Sequence, residues 1–189
     1  MPKIKGPTAE LEGVLAVAKA MAVAARTAPK ARGEDAIETL IVHGEELIPL
    51  ADAMKQQGEK TKLPEAFSRD ADRVRTSHAV LLVGLTDLRP KKMAKALDCG
   101  ACGYGNCAGF LKVEKKEGND FPGPVCAFQA MDLGIALASA CGVAARFHVD
   151  NRMMYTIGGA ARKLGWMESQ IIIGIPLSAS GKNIYFDRG

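Results

Sequence analysis

Residues 79–83 read Ala-Val-Leu-Leu-Val, five apolar positions with no polar residue between them. A strand with one wet face alternates, so an unbroken run of this length marks a strand covered on both sides. Ile171-Ile172-Ile173-Gly174-Ile175 has the same character. Two such strands predict a small sheet with helices packed over it. Outward from residue 79 the periodicity changes repeatedly. Helical spacing covers 8–28, where Leu11, Val14, Leu15, Ala18, Met21 and Ala25 fall on one face, Thr8 suits the cap, and Pro29 and Gly33 end the pattern. It returns over 45–57, 63–75, 127–145 and 153–164, and Lys55 to Lys62 reads as a solvated loop. Thr39–Val42 is a short β-prone run, and Ile184-Tyr185-Phe186 is expected as a third strand beside the two buried ones. The fold class is α+β or α/β around a small sheet. Residues 1–189 form one domain, and 86–126, which has no clean period, is an insertion.

Hydrophobic residues at 48% and charged residues at 24% are ordinary globular values, but aromatics at 5% are scarce, so helices must pack closely through Ala and Gly. Gly134, Ala138 and Gly142 lie four apart on the 127–145 helix, a stripe on which a second copy's helix could approach, and a homodimer is expected there. The net charge is +4, with Lys and Arg scattered among acids rather than gathered in a run, which argues against nucleic acid. Glu10, Glu12 and Lys19 break up the one stretch that resembles a signal peptide, and no apolar run approaches the roughly 18 residues of a membrane span. The expectation is a cytoplasmic protein with no membrane partner. Five cysteines, three of them within nine positions among glycines, suit metal binding in a reducing compartment better than disulfides.

The run from Asp98 to Cys107 reads Asp-Cys-Gly-Ala-Cys-Gly-Tyr-Gly-Asn-Cys. It sets Cys99, Cys102 and Cys107 as Cys-x2-Cys-x4-Cys, with Cys126 eighteen intervening residues further on. Thiolates hold iron, close-set cysteines on a loop can aim at one cluster, and a distant cysteine can close the fourth corner. Gly100, Gly103, Gly105 and Gly109 let the backbone turn sharply beside the cluster, and Pro122, Gly123 and Pro124 stiffen the approach to Cys126. A 4Fe-4S cluster is therefore expected on these four cysteines. The alternative, a four-cysteine zinc site, usually pairs two Cys-x2-Cys knuckles, and here there is one. Cys141, on the small-residue helix, is expected as core. Gly181-Lys182 lacks the rest of a P-loop, and His43, His78 and His148 are isolated. Arg26, Lys30 and Arg32 beside a helix end are either solvated surface or an anion site. Arg89, Lys91, Lys92 and Lys95 just before Cys99 read equally as a solvated loop or as a surface steering an acidic donor such as a ferredoxin.

Seven stretches, ARTAPKARGED (25–35), FSRDADRV (67–74), DCGACGYGNC (98–107), FPGPVCAF (121–128), MDLGIALASA (131–140), DNRMMYTIG (150–158) and IPLSASGKNIYFDR (175–188), together resemble the uncharacterised ferredoxin-domain proteins of bacteria and archaea. The resemblance covers nearly the whole chain and is most specific in the cysteine segment. More distantly, the order helix, Ala-Pro, strand, helix, apolar strand, Asp-Leu-Gly-Ile-Ala helix and Ile-Gly-Ile-Pro is similar to that of nitroreductase-type flavoproteins. That resemblance implies an α+β homodimer with FMN at the subunit interface, and Arg26, Lys30, Arg32 and Lys182 as cationic partners for its phosphate. Lys30 and Gly33 stand where those proteins usually carry a Ser and an Asn near the flavin. The function implied is an oxidoreductase coupling a 4Fe-4S cluster to a flavin, with a ferredoxin or another redox donor as partner. The alternative is a non-catalytic electron-transfer or cluster-bearing adaptor without flavin.

Overall fold

The computed structural model describes residues 2–186. Helix α1 (Gly6–Thr27) leads to strand β1 (Ile37–His43), helices α2 (Leu47–Gly58) and α3 (Pro64–Arg75), and strand β2 (Ala79–Leu85). The irregular stretch that follows holds a short helix, α4 (Cys107–Leu111), and the two-residue strands β3 (Lys116–Glu117) and β4 (Pro122–Gly123). Helix α5 (Ala127–Arg146), β5 (Asp150–Asn151), α6 (Tyr155–Lys163) and β6 (Ile171–Ser178) complete the order.

The main sheet runs β1-β2-β6-β5, with every neighbouring pair antiparallel. Strand β2 is buried along its whole length. Because side chains alternate along a strand, Leu81, Val83 and Leu85 enter one core with Met21 of α1 and Leu133 and Ala140 of α5. Val80 and Leu82 enter the other, with Leu50 and Met54 of α2, Val74 of α3 and Ile157 of α6. Each such buried Leu, Ile or Val contributes about 1.5–3 kcal/mol relative to exposure. Helix α6 lies so close to β6 that a Cβ at Gly174 would meet Ile157 Cγ2 at 2.5 Å, so that strand position requires glycine. The fold is α+β, a small antiparallel sheet flanked by helices.

Three expectations change. Ile184–Phe186 is a turn and not a strand, because β5 already occupies the free edge of β6 through Asp150 opposite Ser178. Tyr185 serves instead as an anchor, 3% exposed, with its hydroxyl 2.9 Å from Ser77 Oγ. Asp187 and Arg188 lie outside the described residues. Helix α1 starts at Gly6, with Pro7 in its first turn and no side-chain cap from Thr8. Helix α5 is, by length and composition, apolar enough to cross a membrane, which the sequence reading did not expect. One face of it lies in the core against α1 and the sheet, and Asp132 is buried within it at 2% exposure. Gly134, Ala138 and Gly142 lie on its opposite, exposed face with Met131 and Ile135, while Ala136, Ala140 and Ala144 form the small-residue face of the core.

Candidate functional site

Backbone geometry and short polar side chains fix the cysteine segment. Thr86 N–H donates to Ala36 O (2.9 Å) as the chain leaves β2, and Cys126 N–H donates to Leu88 O (2.8 Å), which joins the two ends of 86–126. Asp98 Oδ1 accepts from Cys107 N–H at 2.7 Å, and Asn106 caps α4 by accepting from Gly109 N–H at 2.7 Å. Gly100 and Gly103 have φ of +71° and +85°, a region that other residues adopt only with strain, and a turn from Gly103 N–H to Gly100 O (2.9 Å) folds the loop on itself. Cys126 is the N-cap of α5, at the positive end of a 20-residue helix, where negative charge is favoured.

The result brings Cys99, Cys102, Cys107 and Cys126 into the lining of one cavity of about 430 Å³, counting the space that opens to solvent. Arg32, Lys91, Tyr104 and Phe128 share its walls. Cys99 is exposed, Cys102 half-buried, and Cys107 and Cys126 buried; all are free thiols. Burial raises the Cys107 thiol above its ordinary value, and the Asp98 carboxylate and Cys126 push the same way, against a hydrogen bond from the Asp98 backbone. Cys141 lies outside this cavity, packed against the α1/α5 core, and burial pushes its thiol up to about 11. Among the described residues, no three His, Cys, Asp or Glu side chains are grouped so as to hold a single metal ion.

Of the four cations before Cys99, Arg89, Lys92 and Lys95 are exposed and Lys91 is buried. Lys91 is 5% exposed; its ammonium donates to the Asp132 carboxylate and to Glu34 O (2.6 Å). Asp132 also accepts from Ala31 N–H at 3.0 Å, so this buried pair ties the end of the α1–β1 connection, the cysteine segment and α5 together beside the cavity. Arg89 grips Asp87 through both carboxylate oxygens at 2.8–3.1 Å, and that hydrogen bond holds the Asp87 carboxyl below its ordinary range despite partial burial. Lys92 and Lys95 remain exposed, and Lys95 O accepts from Arg32 Nη2 at 3.0 Å.

Of the cations weighed as phosphate partners, Arg26, Lys30 and Arg32 gather at the C-terminal end of α1. Arg26 pairs with Asp35 at 2.5 Å, and the Lys30 ammonium donates to Ala25 O (3.2 Å) and Arg26 O, 3.8 Å from the Asp35 carboxylate. Burial works to raise the Asp35 carboxyl, but the Arg26 hydrogen bond leads the contributions that outweigh it, and the carboxyl lies below its ordinary value. Arg32 is in the cysteine cavity wall. Lys182 follows β6, and Ala179, three residues before it, lines a groove with Ala9, Gly13 and Val17 of α1.

Two polar assemblies escaped the sequence reading. One is Lys91 with Asp132; its signal was Asp132 as the lone charge in the apolar run 127–145. The other holds the returning arm of the cysteine segment. Gln57, 1% exposed, donates to Asp120 Oδ1 (2.6 Å) and Asn119 O (2.9 Å), while Lys163 donates to Gln57 and the Tyr155 hydroxyl to Asp120.

An antiparallel sheet of this order between two helical layers is the fold of nitroreductase-type proteins. It matches a nitroreductase-like family protein from Bacillus cereus with a TM-score of 0.53, at 11% identity, over 96% of this chain and 92% of that one. A nitroreductase with bound FMN from Desulfitobacterium hafniense gives 0.55 at 14% identity, over 88% and 78% of the two chains. The FMN-dependent nitroreductase of Mycobacterium smegmatis in complex with NADPH gives 0.53 at 12%, again over 88% and 78%. Residues 122–188, which include Cys126, match the family described as "Uncharacterized protein containing a ferredoxin domain (DUF2148)". An "Uncharacterized protein" of Archaeoglobus fulgidus is 47% identical over 177 residues, covering 94% of this chain and 92% of the relative. The chain belongs to this ferredoxin-domain family.

Proposed function

We propose that this chain is an iron-sulfur redox protein whose Cys99, Cys102, Cys107 and Cys126 hold a 4Fe-4S cluster, with 86–126 as the cluster-bearing insertion of a single cytoplasmic domain. One observation carries the reading: Cys126 joins the close-set Cys99, Cys102 and Cys107 in the lining of one cavity, with Arg32 and Lys91 in its wall, while the fifth cysteine is elsewhere. A four-cysteine zinc site usually pairs two Cys-x2-Cys knuckles and this chain has one, which favours a cluster over zinc. The Cys107 proton, favoured by burial, leaves when a metal binds. When bound, a cluster supplies one-electron transfer, and a flavin beside it would join that to two-electron chemistry. The chain's own residues orient the thiolates through Asp98 and Asn106, offset their charge with Arg32, and exclude water with Tyr104 and Phe128.

Iron and labile-sulfide analysis of anaerobically purified protein tests the cluster. About four irons per chain are expected, with loss of most of the iron in Cys99→Ser, Cys102→Ser, Cys107→Ser and Cys126→Ser and retention in Cys141→Ser. Full iron in Cys126→Ser, or selective loss in Cys141→Ser, overturns the assignment.

The preferred activity is an oxidoreductase that couples this cluster to FMN, which the fold and its FMN-containing neighbours support. The rival adaptor reading, without flavin, draws on the pairing of Arg26 and Lys30 with Asp35. Release of FMN on denaturation decides between the two. A homodimer through α1 and α5 fits their exposed Leu11, Val23, Met131 and Ile135 beside the Gly134-Ala138-Gly142 stripe. Sedimentation of wild type against Ala138→Trp tests it, with a shift to monomer expected. A ferredoxin or another acidic redox donor would meet Lys92 and Lys95, and its reduction rate should fall as salt rises.

A further inference from the structure

Arg32 reaches the cysteine cavity from outside the cysteine segment, from the connection between α1 and β1. Its backbone φ is +61°, a left-handed conformation uncommon outside glycine. Neighbouring bonds hold the turn: Ala31 N–H donates to Asp132 at 3.0 Å, and Gly33 N–H donates to Lys30 O at 3.1 Å. The Arg32 side chain is half-buried, donates through Nη2 to Lys95 O at 3.0 Å, and pairs with no carboxylate among the described residues. Charge around the cavity is therefore uneven. Among the described residues no Asp or Glu lines it, and Lys91, the other cation in its wall, is neutralised by Asp132. The Asp98 carboxylate accepts from Cys107 N–H but does not line the cavity. Arg32 is left as the wall's uncompensated charge. Ala127 and Phe128, which open α5, line the same wall, and their N–H groups have no carbonyl partner within the helix, so the positive end of α5 adds to it.

We infer, resting on the cluster reading, that Arg32 sets the cluster's reduction potential. A 4Fe-4S cluster in a shell of four thiolates is anionic and gains one more negative charge when it takes up an electron. A fixed cation in the wall therefore favours the reduced form, and a half-buried cation is screened by salt less than an exposed one. Lys91 does not share this role, because Asp132 cancels its charge.

Potentiometric titration of the anaerobic protein, with dithionite supplying the electron through soluble mediators, tests this role. Arg32→Gln removes the charge and keeps an amide that can donate to Lys95 O. Its reduction equilibrium should be about tenfold less favourable than that of wild type, a potential lower by about 59 mV for one electron. Arg32→Lys, which keeps the charge, should recover most of that shift. Arg32→Asn should match Arg32→Gln, and because Asn tolerates the left-handed backbone it does not rely on Gln fitting the turn. Lys112→Gln removes an exposed charge outside the cavity lining and should leave the potential unchanged. An unchanged potential in Arg32→Gln and Arg32→Asn overturns the inference. So does an equal fall in Arg32→Lys, which would make Arg32 a tie to the segment and not a charge. Iron and labile sulfide measured on the same samples keep the two readings distinguishable: wild type without iron removes the cluster and the role of Arg32 with it, whereas full iron with an unshifted potential removes only the role of Arg32.

Discussion

Strand β2 and the segment that follows it are adjacent in sequence and built on opposite terms. All seven residues of β2 are buried, and its two faces feed two apolar cores. Residues 86–126 contain one five-residue helix and a two-residue ladder, and contribute few side chains to either core. What positions that segment is a small set of polar anchors with one end in the frame: Lys91 on Asp132 of α5, and Asp120 on Gln57 of α2 and Tyr155 of α6. Burial spreads stability over many residues, whereas anchors concentrate it in a few. The segment can therefore open locally while the sheet remains folded.

The largest effect is expected at the anchor that is itself buried. Lys91→Met leaves the Asp132 carboxylate at 2–3% exposure without its counter-charge, and breaking such a pair from one side costs about 3–5 kcal/mol. Lys91→Met combined with Asp132→Leu should recover much of that in urea unfolding, because the double change removes both charges. A double variant no more stable than Lys91→Met would show that the pair's geometry, and not its charge, holds α5 to the segment.

The frame's counterpart is Leu82→Ala, expected to cost about 2–5 kcal/mol through the cavity left between β2, α2 and α6. Its loss should appear as a lower midpoint for the whole molecule. Asp120→Ala should cost less, about 1–3 kcal/mol, by leaving the buried Gln57 amide short of a partner. Limited proteolysis distinguishes the two. Cleavage confined to 86–126 is expected in Asp120→Ala, and if Leu82→Ala gave the same pattern, the contrast between frame and segment would fail.

The same contrast explains what could be read from the sequence. Ala79–Val83 and Ile171–Ile175 announce themselves because a strand buried on both faces has no polar alternation, and the helix spacings of α1, α2, α3 and α5 follow from one-sided burial. The sharing of one cavity by Cys99, Cys102, Cys107 and Cys126 could be expected from the close spacing of three of them among glycines, whatever the backbone does elsewhere. Lys91 was not legible, because a lysine among Arg89, Lys92 and Lys95 looks solvated until its partner, 41 residues away, is seen. Asp120 and Gln57 are 63 apart and follow no period. Ile184–Phe186 misled because its apolar residues are indistinguishable from a strand once the sheet edge is taken by β5. Long-range polar pairing leaves little local pattern, and the cysteine segment depends on it.

The smallest expected effect tests the Asp120 anchor by pH. Burial first, and then the hydrogen bond to the Asp120 carboxylate, push the Tyr155 hydroxyl up from 10.0 to about 12. The folded state therefore holds this proton more tightly than the unfolded chain. Its contribution is fully present below the unfolded value near 10 and is lost as pH rises toward about 12. Tyr155 is 45% exposed, so solvent screening should keep the effect below about 1 kcal/mol. The expected result is a steeper alkaline fall in unfolding stability for wild type than for Tyr155→Phe, with the two curves parallel at lower pH. Because lysine and arginine titrations are common to both proteins, the difference isolates this hydroxyl. Curves that stay parallel throughout the alkaline range would mean that Tyr155 does not hold Asp120 through its proton, and would leave Gln57 as the anchor's working end.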